Sequence, residues 1–258
     1  MALARFFITF PGEHEALNSG LSFSLAFDGG VHHHVANVLR LHEGERLEIV
    51  QRGLWNVWLC EVEQVDAGDL VLRVIEEIPS AQQSFETTLV LGFSKGDTNE
   101  KVVRQATELG VACIVPVIFS RSISRPDAKR VASKVERLRK IAVSAAQQAH
   151  RSDLPIIENV MTFEDASGFL TKLSPDLVLT PWEEESGNSL AQQIALTDLP
   201  ECPSVAVIIG PEGGISGEEI AQLETIGAKS VSLGLTILRV DTAAVAALAV
   251  VHAALEDR

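Results

Sequence analysis

Val205-Ala206-Val207-Ile208-Ile209-Gly210-Pro211-Glu212-Gly213-Gly214 decides how the rest of this 258-residue chain is read. The opening apolar run has the character of a strand buried on both faces. It stops at Gly-Pro-Glu-Gly-Gly, a sharp turn whose exposed surface is mostly backbone. Ser216 follows as a helix N-cap, with Glu218 and Glu219 in the first turn, where the helix dipole favours acids. A second turn of this kind, Leu233-Gly234-Leu235-Thr236-Ile237-Leu238-Arg239, ends a short strand at 230–233 and leads into a long apolar helix from about Val240. Two glycine-bearing loops at two strand ends predict one pocket made largely of backbone. Neither loop is GxGxxG or GxxxxGK[ST], which argues against a kinase and against an ordinary nicotinamide enzyme.

Upstream of this stretch, from Phe85, strand and helix patterns alternate. Strands are expected at 87–93, 112–119, 156–157 and 176–180, and helices at 98–109, 127–149, 163–173 and 190–196. The closing helix, 242–255, is Ala/Val/Leu-rich nearly all round and should be buried, in part against a second copy. Together these elements predict a mostly parallel sheet covered on both faces. Residues 1 to about 75 read differently. Arg5-Phe6-Phe7-Ile8, Leu21-Ser22-Phe23-Ser24-Leu25, Arg46-Leu47-Glu48-Ile49-Val50, Trp55-Asn56-Val57-Trp58-Leu59 and Leu70-Val71-Leu72-Arg73-Val74 are short strands separated by turn signals. A short helix at 33–41 ends near Gly44, and residues 79–84 read as a linker. The expectation is a small β-barrel followed by a larger α/β domain.

A formal charge of −14 argues against a globally basic nucleic-acid binder. The distribution says more. Residues 1–94 carry 5 basic and 13 acidic side chains, residues 95–151 carry 12 and 5, and residues 152–258 carry 4 and 17. The basic island, with Arg121, Arg125, Lys129, Arg130, Lys134, Arg137, Arg139, Lys140 and Arg151, reads as a surface for phosphates. Cys60, Cys113 and Cys202 lie far apart, which fits neither a disulfide framework nor a metal site and points to the cytoplasm. His32-His33-His34 does not make a metal site, because adjacent side chains diverge and no carboxylate or cysteine is suitably spaced. No apolar stretch is long enough for a membrane span. Glu183-Glu184-Glu185 reads as a solvated loop, and Trp182 as either a ligand cover or a core residue.

Lys95-Gly96-Asp97, Gln105-Ala106-Thr107-Glu108-Leu109-Gly110-Val111, Pro116, Arg121-Ser122, Arg151, Thr180-Pro181-Trp182-Glu183, the Gly210–Gly214 turn and residues 233–243 together resemble the bacterial 16S ribosomal RNA (uracil-1498-N3) methyltransferases of the SPOUT superfamily. Arg5-Phe6-Phe7 and Val38-Leu39-Arg40 are similar to that family's PUA-like barrel, so the resemblance spans essentially the whole chain. It implies a PUA-like RNA-binding barrel at 1–77 and a trefoil-knotted α/β methyltransferase domain at 78–258. It implies an S-adenosylmethionine site at Thr180, Pro181, Gly210, Pro211, Glu212, Gly213, Gly214, Leu233, Gly234, Ile237, Leu238 and Arg239. It also implies a homodimer, and a substrate uridine in the 16S rRNA of the 30S subunit. Arg5, Arg40, Arg121, Arg125 and Arg151 are the expected RNA contacts. The chain departs from the family pattern at Gln105, at Gln147-Gln148-Ala149-His150, at Thr236 (usually arginine) and at Asp241 (usually glutamate).

Methylating uridine N3 requires loss of the N3 proton, and a cation near the uracil oxygens would stabilise the developing anion. Arg239 is the first candidate for that charge, with pairing to Asp241 or Glu212 as the alternative. Asp241 and Glu212 are the candidate bases, although an ordinary carboxylate is a weak one. Glu212 can equally brace the loop. Two other readings stay open at this stage: a knotted methyltransferase for a ribose 2′-hydroxyl or tRNA, and a non-catalytic RNA-binding assembly factor.

Overall fold

The computed structural model describes residues 3–9, 17–25, 29–66, 69–80, 83–122 and 128–256. The chain divides into two compact units, Met1–Gln82 with Ala146–Asp153, and Gln83–Ala145 with Leu154–Arg258.

Period-two alternation builds the first unit. Strands β1 (Arg5–Ile8), β2 (Ser22–Ser24), β3 (Arg46–Gln51), β4 (Val57–Val65) and β5 (Leu70–Ile78) form one sheet in the order β1-β3-β4-β5-β2. Among the described residues, only the β1–β3 pair of this sheet is parallel. Leu47 and Ile49, Trp58, Cys60 and Val62, and Leu70, Leu72 and Val74 enter one core with Phe6 and Ile8, as alternate residues of a half-buried strand should. Burial lifts the Cys60 thiol to about 12, so this is an inert core cysteine. Helix α1 (Gly29–His33) runs into a wider helical turn, His34–Leu39. The turn stops at Arg40, which takes a left-handed conformation, earlier than the expected end near Gly44. The strand expected at 55–59 begins at Val57 because Trp55 occupies the turn at φ 59°. It then runs on to Val65, paired along its length with β3 and β5.

In the second unit, β6 (Glu86–Gly92), β7 (Cys113–Ile118), β8 (Ile156–Ile157), β9 (Met161–Thr162), β10 (Leu177–Pro181), β11 (Ser204–Ile209) and β12 (Lys229–Val231) form an all-parallel sheet. Its order is β12-β10-β11-β6-β7-β8, with β9 also on β7. The apolar run ahead of Gly-Pro-Glu-Gly-Gly is the central strand β11. Val205, Val207 and Ile209 face one core, and Ala206 and Ile208 face the other. The helices are α2 (Thr98–Glu108), α3 (Ala128–Gln148), α4 (Phe163–Leu173), α5 (Leu190–Leu196), α6 (Gly217–Thr225) and α7 (Val240–Glu256). Helix α7 buries one face, Ala244, Ala247, Leu248, Val251, His252 and Leu255. Its other face holds Val245, Ala246, Ala249 and Ala253, half-buried or exposed in one chain, while Val250 and Ala254 are half-buried against the core. The strand order reverses between β6 and β11, the crevice position at which open α/β sheets bind ligands beyond their carboxyl ends.

Candidate active site

Three segments, the end of β6 and the loops after β7 and β10, converge on Gly-Pro-Glu-Gly-Gly at the carboxyl end of the second sheet. Gly92, the last residue of β6, packs so tightly that an added Cβ would lie 2.7 Å from the Gly210 carbonyl carbon and would overlap the Pro211 nitrogen. At Gly213 an added Cβ would lie 2.7 Å from the Arg121 carbonyl oxygen, on the loop after β7. Gly214 has φ 75°, and a side chain there would overlap the Glu183 carboxylate of the loop after β10. Its N–H donates to the Pro211 carbonyl at 2.9 Å and closes the turn. These glycines are therefore required by close approach, and by backbone conformation at Gly214.

The second glycine loop lies beside the end of β10. Thr180 and Pro181 pair with Ser230 and Val231, and the Trp182 N–H donates to the Val231 carbonyl at 3.0 Å. Ser232 and Leu190 then tie the 182–190 segment to β12, with Ser232 N–H on the Asn188 carbonyl at 2.8 Å and Leu190 N–H on the Ser232 carbonyl at 3.1 Å. Between these segments lies an open cleft of about 130 Å³. Pro181, Leu233, Gly234, Ile237 and Leu238 of the expected cofactor set line it, along with Trp182, Glu183, Glu185 and Thr236. Thr180 is buried in the strand beneath, and its hydroxyl has no hydrogen-bond partner among the described residues. The buried indole N–H of Trp182 likewise has none, so a lining residue carries an orphan donor. Trp182 also packs on the core, so both readings of it apply. Gly210, Pro211, Glu212, Gly213 and Gly214 do not line the cleft; their turn meets it where Gly214 packs on the lining residue Glu183. Leu235 and Ile237 stand almost wholly exposed on the loop.

Arg239 follows the cleft residue Leu238 and is exposed. Among the described residues it makes no ion pair, so neither Asp241 nor Glu212 holds it. Asp241 lies in the first turn of α7, and among the described residues its Oδ1 accepts only the neighbouring Thr242 N–H, at 3.1 Å.

Two charged residues brace the loops. Glu219 caps its own helix as expected, with Oε2 accepting from the Ser216 N–H and hydroxyl, both at 2.9 Å. Its Oε1 accepts from the Ser120 N–H at 2.7 Å and fixes the turn that carries Arg121. Burial alone would raise this carboxyl, but the bonds from Ser120 and Ser216 outweigh burial and hold it below its usual range. Lys134, which the sequence places on a phosphate-binding face, turns inward instead. Its Nζ donates to the Ser94 carbonyl at 2.6 Å and the Gly96 carbonyl at 3.2 Å, and lies 4.9 Å from the centroid of Phe93. Burial lowers its pKa.

The expected RNA contacts are placed unevenly. Arg5 pairs with Glu48 at 2.7 Å with its side chain 10% exposed, and also donates to the His150 carbonyl. Arg151 is 9% exposed and pairs with Asp153 at 2.6 Å. Arg40 and Arg121 are exposed. Arg125 lies outside the described residues. Of the other basic residues, Arg137 pairs with Glu100, and Arg139 caps the Ile157 carbonyl and Asn159.

An RNA methyltransferase domain model matches residues 81–252, and an RNA methyltransferase PUA domain model matches residues 27–75. The chain belongs to the RNA methyltransferase family. Its fold is an α/β catalytic domain of the SPOUT class with an N-terminal PUA-like domain. It is 30% identical to ribosomal RNA small subunit methyltransferase E of Mycobacterium bovis, over 87% of this chain and 84% of that protein. To the protein of the same name from Bacillus subtilis it is 28% identical, over 85% and 86%. A Legionella pneumophila structure described as a methyltransferase with bound S-adenosylmethionine superposes with a TM-score of 0.84, at 29% identity and 98% coverage of both chains. In this family member the cleft between Pro181 and the Leu233–Leu238 loop, beside the Gly210–Gly214 turn, fits a methyl-donor cofactor. Among the described residues there is no group of side chains able to hold a metal, and no helix long and apolar enough to cross a membrane.

Proposed function

We propose that this enzyme transfers the methyl group of S-adenosylmethionine to N3 of uridine 1498 of 16S rRNA, in the assembled 30S subunit. The observation that carries the reading is the cleft, to which Pro181 and the Leu233–Leu238 loop both contribute beside the Gly210–Gly214 turn. Bound there, S-adenosylmethionine supplies an electrophilic methyl. The N3 proton leaves to solvent or a nearby base, the N3 electron pair forms the new bond to carbon, and the broken S–C bond returns its pair to sulfur. The backbone cradle fixes the donor, so much of the rate comes from alignment. Arg239 stands free at the rim and stabilises the charge that spreads onto the uracil oxygens. Asp241, at the start of α7, is the candidate to take the proton.

RNA docks through the barrel, 1–77, and through the 121–151 island of the methyltransferase domain, 78–258. Exposed Arg40 and Arg121 make the first contacts, with Arg125 near Arg121 in sequence. Arg5 and Arg151 act through the groups they already hold, or change partners on docking. The protein works in the cytoplasm as a homodimer, formed over the small-residue outer face of α7. The test is transfer of labelled methyl from S-adenosylmethionine to 30S subunits and, in a parallel reaction, to tRNA, both from a strain lacking the enzyme. Label in 16S rRNA supports the reading. Label absent from subunits but present in tRNA supports the tRNA alternative. Tight RNA binding with no label leaves only an assembly role.

A further inference from the structure

We infer that Glu183 sets the charge preference of the cleft, favouring the cationic methyl donor over the neutral product. This deepens the methyl-transfer reading and rests on it.

The two ionisable residues that line the cleft are both acidic, Glu183 and Glu185. They differ in what they already do. One Glu185 carboxylate oxygen accepts from the Gly187 N–H at 2.7 Å and the Asn188 N–H at 3.1 Å, which makes Glu185 a brace of its own loop. Glu183 has no hydrogen bond or ion pair among the described residues. Its position is nevertheless defined. A side chain at Gly214 would overlap its carboxylate, so the glycine at φ 75° leaves room for this group at the junction of the cleft and the Gly-Pro-Glu-Gly-Gly turn. A carboxylate without an ion pair at that junction, in a lining that holds no cation, biases the cleft interior toward negative potential, with Arg239 outside the lining at the rim.

At neutral pH S-adenosylmethionine carries a sulfonium, an ammonium and a carboxylate, net +1. S-adenosylhomocysteine has lost the sulfonium charge and is a net-neutral zwitterion. A negative cleft therefore separates two molecules that differ by one methyl group, which an apolar pocket discriminates weakly. The same potential weakens its hold as the methyl leaves, which favours release of product.

Calorimetric titration of the full chain with S-adenosylmethionine, S-adenosylhomocysteine and sinefungin tests this. Sinefungin carries an amine where the sulfonium stands and is a cation of similar shape. E183Q keeps the size of the side chain. It should weaken S-adenosylmethionine and sinefungin by roughly five- to tenfold, as for one partly solvated charge contact. Binding of S-adenosylhomocysteine should stay within about twofold by the same argument. E183D, which keeps the charge, should restore most of the donor-to-product ratio. If E183Q lowers all three affinities equally, or leaves the ratio unchanged, Glu183 only shapes the loop and the inference is wrong. Wild-type protein that binds none of the three sinks the methyl-transfer reading as well, a distinguishable failure.

Discussion

Removal of the Glu219 carboxylate should loosen the active end of the sheet from outside the cleft. Its three hydrogen bonds join residues 99 positions apart in the chain, Ser120 to Glu219, and close the capping box of α6. A hydrogen bond to a charged group contributes about 1.5–3 kcal/mol when its partner is left stranded, but here one carboxylate serves all three and water reaches the exposed Ser120. Glu219→Ala should therefore cost about 3 kcal/mol in all, well below the simple sum. Glu219→Gln can accept on one oxygen only and should lose about half of that. Urea unfolding at pH 7 gives both values. The pH dependence adds a sign. The folded carboxyl sits below its ordinary value of 4.5, so the stabilisation is complete above that pH and is lost as pH falls through the folded value. The stability gap between wild type and Glu219→Gln should thus hold from pH 7 to about 5 and shrink below 4.5. A loss under about 0.5 kcal/mol for Glu219→Ala, the range of an ordinary surface change, would refute the clamp. So would a gap that stays constant down to pH 3.

Other outcomes follow from the same geometry. Gly214→Ala imposes a left-handed alanine, about 1–2 kcal/mol, and pushes on Glu183, so calorimetry should show cofactor affinity down about tenfold or more. Arg239→Ala should slow single-turnover methylation of 30S subunits about a hundredfold with cofactor affinity nearly unchanged, and normal methylation by this variant would leave positioning as the main source of rate. Arg40→Glu with Arg121→Glu should weaken RNA binding and flatten its salt dependence by about 0.7 in log–log slope for each phosphate no longer neutralised, whereas an unchanged slope would move the interface elsewhere. Val245→Glu, on the partly exposed face of α7, should shift light scattering from dimer toward monomer with the circular dichroism spectrum intact. Leu248 is fully buried in the chain's own core and is the wrong residue for that experiment.

Local pattern carries far in this chain. The β11 run, the Ser216 cap and the helix starts at 98, 190 and 240 are legible because each depends on neighbours in sequence. Trp55 reads as strand because its apolar ring fits one, whereas its left-handed backbone is set by the turn around it. The two-residue strand β9 escapes a sequence reading, since Met161-Thr162 is too short to show a period and is a strand only beside β7. The cleft is legible as two glycine loops, but its charge is not. Glu183 and Glu185 look like a solvated acidic run until the end of β12 is laid beside β10. Lys134 belongs to a basic run and gives no local sign of turning onto the Ser94 and Gly96 carbonyls. The acid at the third helical position of α6 announces the capping box, while its second partner, Ser120, depends wholly on tertiary packing.

The most direct test of N3 chemistry is the identity of the product nucleoside. Purified protein, S-adenosylmethionine and unmethylated 30S subunits should yield 3-methyluridine at one position of 16S rRNA on nuclease digestion and mass spectrometry, and none when the cofactor is omitted. A 2′-O-methylated nucleoside, or a methyl on any atom other than uridine N3, would contradict the central claim.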